Sequence, residues 1–278
     1  MQPCCNDSRG EEPGAPVLSV VVPVFNEAGN IGPLAGQIGE ALDSWDSNYE
    51  IVFVDDGSTD GSWAEIRRAH ALNPKVRGLR HLENGGQSAA LWTGFQATHS
   101  PLLATLDGDL QNDPMDLPKM VRELSGVDFI SGQRINRQDN WIRRTSSRLA
   151  RWARRAVLKV DVCDTGCAVR VFRRNCLEGI FPFAGFHRFL PVLVHANGRK
   201  TLEVPVAHRR RAAGVSKYGI GNRLFCGLYD LFAIAWYQRR RITPVRFVSL
   251  EEREIDAANA VELSSPWPPA TLPSLASS

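Results

Sequence analysis

The sequence predicts an α/β fold in which a mainly parallel sheet is flanked by helices. Apolar runs of strand length alternate with segments of helical periodicity from residue 17 to about residue 125, the order that produces successive strand-helix-strand units. The first of these runs is continuously apolar, as in strands that are covered on both faces. With 278 residues, 43% of them hydrophobic, the chain is long enough for one such domain with a sizeable core.

The individual elements follow in chain order. The β-branched run at 17–24 predicts the first strand, and apolar residues at helical spacing from Asn30 to Trp45 predict the first helix. The later elements that we predict are strands at 50–56, near 76–82, up to Asp107, near 128–132 and near 168–172, with helices after residue 61, over 87–98 and around 143–159. The alternation of strand and helix weakens after residue 126.

Composition divides the chain into four segments. We predict a flexible tail over 1–16, one globular domain over 17–223, an amphipathic helix on a membrane surface over 224–243, and a Pro/Ser-rich disordered tail over 244–278. The apolar stretch at 224–237 is shorter than the roughly 20 residues that a bilayer crossing requires. It ends in aromatic and cationic residues, which suits an anionic membrane surface, although a core helix with a solvated basic end has the same pattern.

Charge and cysteine content restrict the setting. The formal net charge is only +3, but arginines accumulate between residues 134 and 174 and predict a cationic surface or cleft. The six cysteines are not paired at zinc-ligand spacing, and no N-terminal secretory signal is present. We therefore expect reduced thiols and a cytoplasmic protein.

Acidic and polar loops follow three of the predicted strands, at 25–27, 55–58 and 107–111. The carboxyl ends of parallel strands lie along one rim of a sheet, where ligands bind. In the third loop, Asp107, Asp109 and Gln111 occupy alternate positions, so their oxygens converge in an extended segment. Such oxygens suit Mg²⁺ or Mn²⁺ that carries a substrate diphosphate.

Two common phosphate-binding motifs are missing from the sequence. No G-x-G-x-x-G turn follows the first strand, which argues against a dinucleotide-binding fold, and no Walker-type loop occurs. The phosphates must then be bound by a metal ion and by side chains.

Eight motifs, in the expected order, resemble those of the polyprenyl-phosphate (dolichol-phosphate mannose synthase-like) branch of the inverting family 2 glycosyltransferases. The likeness covers about residues 17–241. The motifs are VVPVFNE (21–27), VDDGSTD (54–60), NGGQSAA (84–90), DGDLQ (107–111), GQR (132–134), RRTSS (143–147), DTGC (164–167) and RAAGVSK (211–217).

The resemblance implies a GT-A fold, a Mg²⁺ or Mn²⁺ cofactor and a set of roles for named residues. The nucleotide sugar would be bound by Pro23, Phe25, Glu27, Asp55 and Asp107. The metal would be bound by Asp109 and Gln111, and the acceptor phosphate by Arg134, Arg143, Ser147, Arg211 and Lys217. The catalytic residues would be Asp109, Arg134, Arg211 and Asp164. Asp164 is a candidate base, with a structural role as the alternative, and Phe25 replaces the tyrosine of many relatives, which leaves the nucleotide preference open.

The expected activity is metal-dependent, inverting transfer of a hexose from a nucleotide-diphosphate sugar of the GDP-mannose or UDP-glucose type to a polyprenyl phosphate. Because relatives often carry transmembrane helices after the catalytic domain and this sequence shows none, we expect peripheral association with the cytoplasmic face of a membrane. One alternative is a soluble family 2 transferase that acts on a saccharide or protein hydroxyl. Another is an Arg-rich nucleic-acid-binding module, although it leaves the acidic rim unexplained. We interpret His81, His187 and His208 as structural.

Overall fold

The computed structural model describes residues 15–45, 48–134, 155, 160, 162–209, 229–237 and 240. Its strands are β1 (Leu18–Val24), β2 (Tyr49–Asp55), β3 (Val76–Arg80), β4 (Leu102–Thr105), β5 (Phe129–Arg134), β6 (Arg170–Arg173) and β7 (Thr201–Val206). Its helices are α1 (Ala28–Asp43), α2 (Ser62–Leu72), α3 (Gln87–Gln96), α4 (Asp116–Glu123) and α5 (Phe186–Ala196), with a 3₁₀ turn at Arg174–Leu177. Residues 229–237 are largely helical as well.

The strands form one sheet in the order β3-β2-β1-β4-β6-β5-β7. β6 is antiparallel to both of its neighbours, and the other adjacent pairs are parallel. The prediction of a mainly parallel sheet flanked by helices is therefore confirmed. Because β2, β1 and β4 are adjacent and parallel, their carboxyl ends share one edge.

Hydrophobic cores lie on both faces of the sheet, which explains the continuously apolar strands. Val20 and Val22 face α1, α2 and α4, whereas Val21 faces α3, α5 and the helical residues 229–237. Successive side chains of a strand point to opposite faces, so a strand covered on both sides has no position for an exposed polar residue. All seven residues of β2 are buried.

The order of the elements up to β4 matches the prediction, and the chain beyond β4 contains elements that were not predicted. α4, α5 and β7 lacked a clear sequence signal. The basic helix expected around 143–159 lies outside the described residues apart from residue 155, as does most of both terminal tails. The proposed division into four segments remains a prediction.

Candidate active site

The loops after β1 and β2 are joined through Asn26. Its backbone N–H donates to Ser58 Oγ at 2.9 Å, and its side-chain Oδ1 accepts from the N–H of Thr59 at 2.8 Å. Asn26 has a φ of 57°, a left-handed conformation that asparagine tolerates better than most residues. The two polar loops that the sequence placed on one rim are thus in direct contact.

The buried carboxylate of Asp56 holds the loop that leads into α3. It accepts hydrogen bonds from the N–H groups of Gly85 and Gly86, at 2.9 and 2.7 Å, and lies 2.8 Å from Nδ1 of His81. His81 also contacts Thr93 through Nε2, so the interpretation of this histidine as structural agrees with its contacts. Asp56 positions the rim, a role that the sequence did not distinguish from that of Asp55.

The third loop, after β4, packs against the end of β1. A Cβ atom on Gly108 would lie 3.2 Å from the carbonyl oxygen of Pro23, so the two chain segments approach closely there. Leu110 has a φ of 60° and packs against the core. Residues 107–111 therefore form a turn, and the extended segment predicted here is wrong, because the strand ends at Thr105 and Leu110 reverses the chain. The apolar contact stabilises the turn, and within it the N–H of Gln111 donates to Oδ1 of Asp109 at 3.2 Å.

Asp107 and Asp109 are close enough to affect each other electrostatically. Burial and the negative charge of Asp109 raise the pKa of Asp107 to about 6, against the lowering influence of Arg170 and Arg134. The amide of Gln87, in the first turn of α3, donates to Oδ1 of Asp107 at 2.8 Å. A cation bound between the two carboxylates would relieve their repulsion.

The donor atoms of this loop fit a hard divalent cation. Within the described residues, no group of three or more His, Cys, Asp or Glu side chains could hold a metal ion. Carboxylates and an amide oxygen from Asp107, Asp109 and Gln111 would therefore leave positions for other oxygens, such as those of a diphosphate. Mg²⁺ and Mn²⁺ accept such mixed oxygen coordination.

Asp55 lies at the carboxyl end of β2 and is completely buried. Its Oδ1 accepts from the N–H of Ser58 at 3.0 Å, and its Oδ2 lies 3.3 Å from Nε of Arg80 without a well-directed hydrogen bond. A buried carboxylate oxygen without a hydrogen bond is unusual in proteins. The role of Asp55 in holding a nucleotide base remains a prediction.

Three further residues that were predicted to bind the nucleotide lie at the end of β1. Pro23 is in β1 opposite Val54, and Phe25 and Glu27 follow it in the loop. Glu27 accepts from the side-chain amide of Asn30 at 2.6 Å. Their contacts with a nucleotide remain predictions.

Arg134 and Asp164 form a bidentate, largely buried ion pair. Nε and Nη2 of Arg134 donate to the two carboxylate oxygens of Asp164 at 2.7 and 2.8 Å, and the side chains are 16% and 7% exposed. Burial lowers the pKa of Arg134, but Asp164 and, more weakly, Asp107 raise it overall. Arg134 is thus a fixed cation within electrostatic reach of the acidic rim.

Glu203, in β7, holds the turn that carries Asp164. Its carboxylate oxygens accept from the N–H groups of Cys163 and Asp164, at 2.7 and 2.9 Å. The turn that carries Asp164 is therefore fixed to a strand that the sequence analysis missed. The spacing of about 40 residues gave no local signal for this contact.

Arg170 is a buried cation between the acidic rim and the Arg134 pair. It is 3% exposed and donates to the carbonyl oxygen of Thr165 at 3.2 Å, and its Nε is buried without a hydrogen-bond partner among the described residues. Burial lowers its pKa, whereas the charges of Asp107 and Asp164 raise it. The sequence analysis gave Arg170 no function.

Four of the predicted acceptor-site residues cannot be placed. Arg143, Ser147, Arg211 and Lys217 lie outside the described residues. Of the predicted acceptor-phosphate residues, Arg134 alone is within the described part of the chain.

None of the described helices is both long enough and apolar enough to cross a membrane.

Comparison with known proteins agrees with the fold and with the family that the motifs indicated. A family model described as "Glycosyl transferase family 2" matches residues 19–181. The chain therefore belongs to glycosyl transferase family 2, which makes it a glycosyltransferase and confirms the resemblance drawn from the motifs.

Two curated relatives carry polyprenyl-phosphate names. The undecaprenyl-phosphate 4-deoxy-4-formamido-L-arabinose transferase of Aeromonas hydrophila subsp. hydrophila is 36% identical over 84% of this chain and 71% of its own length. The dodecaprenyl-phosphate galacturonate synthase of Rhizobium johnstonii is 35% identical over 83% of this chain and 70% of its own length. Both names fall in the branch that the motifs indicated.

Solved structures with low sequence identity share the fold. The mannosyltransferase PcManGT of Pyrobaculum calidifontis, solved with GDP-Man and Mn²⁺, is 22% identical with a TM-score of 0.58, over 83% of this chain and 66% of that chain. Glucosyl-3-phosphoglycerate synthase of Mycobacterium tuberculosis, solved with Mn²⁺ and UDP-glucose, is 17% identical with a TM-score of 0.61, over 80% of this chain and 79% of that chain. The predicted GT-A fold is confirmed.

Proposed function

We propose that the protein transfers a sugar from a nucleotide-diphosphate sugar to a polyprenyl phosphate, with inversion at the anomeric carbon and with Mg²⁺ or Mn²⁺ bound at Asp109 and Gln111. The observation that carries this proposal is the sorting of charge around one edge of the sheet. Asp107 and Asp109 supply negative charge, and Arg134, which interacts electrostatically with Asp107, supplies positive charge beside them.

The acidic side of the site suits the donor. A divalent cation, when bound there, would neutralise the diphosphate and stabilise the negative charge that it gains as a leaving group. Asp109 and Gln111 would hold that cation, and Asp107 would orient it together with the ribose and phosphate. Asp55 and the loop at 25–27 would bind the nucleoside part.

The cationic side suits the acceptor. Arg134 is held in a fixed orientation by Asp164, and its planar guanidinium retains its charge at any physiological pH. Since arginine binds phosphate through directed N–H groups, Arg134 can present a lipid phosphate to the donor. Arg143, Ser147, Arg211 and Lys217 are proposed to complete this phosphate site.

The bond changes require little proton transfer. An oxygen of the acceptor phosphate bonds to the anomeric carbon while the bond from that carbon to the diphosphate oxygen breaks, and the nucleoside diphosphate leaves. A phosphate monoester has a second pKa of about 6, so the attacking oxygen is already ionised at neutral pH. Asp164 is engaged by Arg134 through both carboxylate oxygens, which supports an orienting role for it and not that of a base.

An exposed aromatic face supports the proposal that the enzyme works at a membrane surface. Tyr229, Phe232 and Trp236 are 75%, 64% and 65% exposed, and their spacing of three and four residues places them on one side of a helix. Tyr229 and Trp236 line a groove of about 370 Å³ together with Phe181 and Phe183. Aromatic side chains of this kind insert at the interface of a bilayer, and we propose the cytoplasmic face.

The proposal is tested by incubating the protein with labelled GDP-mannose, UDP-glucose or UDP-galacturonate, undecaprenyl phosphate in detergent, and Mn²⁺ or Mg²⁺. We expect label from one donor to enter the organic phase, and chelation of the cation to stop the transfer. D109N should lower the rate at least a hundredfold, while E123Q, a carboxylate change on the exposed side of α4, should leave it unchanged. Absence of lipid-linked label with every donor, or full activity in D109N, would contradict the proposal.

Membrane association is tested separately, by sedimentation with vesicles that contain anionic phospholipid. We expect wild type to sediment and a variant with F232S and W236S to remain in solution. L72S removes an apolar residue that is 80% exposed on α2 and serves as the matched control. Equal sedimentation of all three proteins would argue against an interfacial role for this helix.

A further inference from the structure

His187, the second residue of α5, is fixed to the first turn of α3. Its Nδ1 lies 2.7 Å from Oγ of Ser88, and the same oxygen accepts from the N–H of Gly185 at 2.9 Å. A hydroxyl has a single proton. Ser88 can accept from Gly185 and donate that proton to Nδ1. In that arrangement the neutral ring carries its own proton on Nε2.

The first turn of α3 connects His187 to the acidic rim. Gln87 donates to Asp107, and the next residue, Ser88, holds His187. Arg170 is the second link, because its charge acts on both Asp107 and His187. His187 therefore packs on the helix turn whose preceding residue, Gln87, contacts the acidic rim.

The surroundings keep the imidazole neutral. Burial, assisted by the positive charges of Arg170 and Arg188, lowers the pKa of His187 to about 3. At physiological pH the ring is thus neither a cation nor a proton donor of useful acidity. What it offers is an N–H group in a fixed direction.

Two nitrogen atoms near the acidic rim lack a hydrogen-bond partner within the described residues. The described residues provide no partner for Nε2 of His187, and Nε of the buried Arg170 is also unpaired. A buried N–H donor without an acceptor, such as Nε of Arg170, is costly, and an oxygen-rich ligand would satisfy it. A sugar attached to the diphosphate that a cation is proposed to hold at Asp109 and Gln111 is such a ligand.

We propose that His187 is a sugar-binding residue that donates its Nε2 proton to an oxygen of the transferred sugar. The inference rests on the proposed function, because the sugar arrives as part of the nucleotide donor. It replaces the interpretation of His187 as structural. Ser88 and Gly185 act as positioning groups that select the tautomer and the ring orientation.

The test compares two ligands for each variant by calorimetry in the presence of Mn²⁺. One is whichever of GDP-mannose, UDP-glucose and UDP-galacturonate the wild type binds, and the other is the matching nucleoside diphosphate, which lacks the sugar. H187Q places an amide N–H near the position of Nε2, whereas H187N places one near Nδ1. H195N is the matched control, because His195 is exposed on the same helix and contacts Thr201.

We expect H187N to bind the nucleotide sugar about tenfold more weakly, the factor that corresponds to one hydrogen bond, and to bind the nucleoside diphosphate as the wild type does. H187Q should recover most of this loss, and S88A, which keeps the ring but releases its tautomer, should lose about threefold. H195N should leave both affinities unchanged.

Equal weakening of both ligands by H187N, or of neither, would overturn the sugar assignment, as would an effect confined to the KM for undecaprenyl phosphate. If H187N does not fold, the test rests on S88A. Weaker binding of the nucleotide sugar by S88A, with unchanged binding of the nucleoside diphosphate, would then support the sugar assignment, and unchanged binding of both would overturn it. A wild-type protein that binds no nucleotide sugar would contradict the proposed function as well. Wild-type transfer with unaltered sugar binding in the His187 variants would contradict this inference alone.

Discussion

Replacing Asp164 by asparagine should destabilise the protein strongly, because it removes one partner of a buried ion pair. Arg134 and Asp164 are 16% and 7% exposed and share two hydrogen bonds of 2.7 and 2.8 Å. Loss of one member leaves an uncompensated charge away from water, at a cost of about 3–5 kcal/mol. Since the amide oxygen of the introduced asparagine could still accept one hydrogen bond, we expect about 3 kcal/mol for D164N, at the lower end of that range.

A second arginine-aspartate pair in the same protein provides the control. Arg209 and Asp113 are also 2.7 Å apart, but they are 45% and 21% exposed. Exposed pairs are screened by water and contribute about 0–1 kcal/mol. D113N should therefore cost no more than about 1 kcal/mol, although the distance between the charges is the same.

The assay is urea unfolding at pH 7, followed by circular dichroism. The free energy of unfolding should fall by about 2 kcal/mol more in D164N than in D113N, the difference between the two estimates. In the D164N protein that remains folded, the KM for undecaprenyl phosphate should rise more than the KM for the nucleotide sugar, because Arg134 is no longer held. Equal destabilisation by the two substitutions would refute the reasoning that burial makes this pair important.

Three further predictions concern other parts of the site. G57A should destabilise the protein by about 1–3 kcal/mol in the same assay, since Gly57 has a φ of 70° and a Cβ atom there would lie 2.9 Å from the N atom of Asn84. The control G32A, in an open position on α1, should instead stabilise the protein by about 0.5–1 kcal/mol. Equal effects of the two substitutions would contradict the assignment of strain to Gly57. The free energy of unfolding of wild type should fall relative to that of H187Q as the pH drops below 6.5. The reason is that the unfolded histidine gains a proton in this range, whereas the folded one, with a pKa of about 3, does not. The loss at pH 5 is about 2 kcal/mol, and parallel stability curves for the two proteins would contradict the burial of a neutral His187. E203Q should lower the free energy of unfolding by about 1–3 kcal/mol, because the N–H groups of Cys163 and Asp164 then face an amide in place of the two carboxylate oxygens that accept from them. An unchanged urea midpoint would show that β7 does not support the Arg134 pair.

The first half of the fold could be predicted because its signals are local. β1 and β2 are continuous apolar runs, and helices of regular periodicity separate them from the next strands. In contrast, β7 contains Glu203 and Pro205 and alternates between buried and exposed positions only at its end. α5 contains Pro191, which ordinarily argues against a helix interior.

The candidate site likewise contains one part that could be predicted from the sequence and one part that could not. The rim formed by 25–27, 55–58 and 107–111 followed from the rule that the carboxyl ends of parallel strands meet. The contacts of Arg134 with Asp164 and of Ser88 with His187 span 30 and 99 residues, and no spacing in the sequence encodes them. Asp55 and Asp56 are adjacent, and only the alternation of side chains at the strand end separates the carboxylate that is predicted to bind the nucleotide from the one that holds a loop.

The most direct test of the central claim, that the acceptor is a lipid phosphate held by arginine, is a competition between two acceptors. The protein is given equal amounts of undecaprenyl phosphate and undecaprenol, with the preferred nucleotide sugar and Mn²⁺, and the products are identified by mass spectrometry. We expect the sugar to be found only as a phosphodiester of undecaprenol, and R134K, which keeps the charge but loses the planar fork, to reduce its formation at least tenfold. Transfer to the free alcohol, or an equal yield from R134K, would contradict the account.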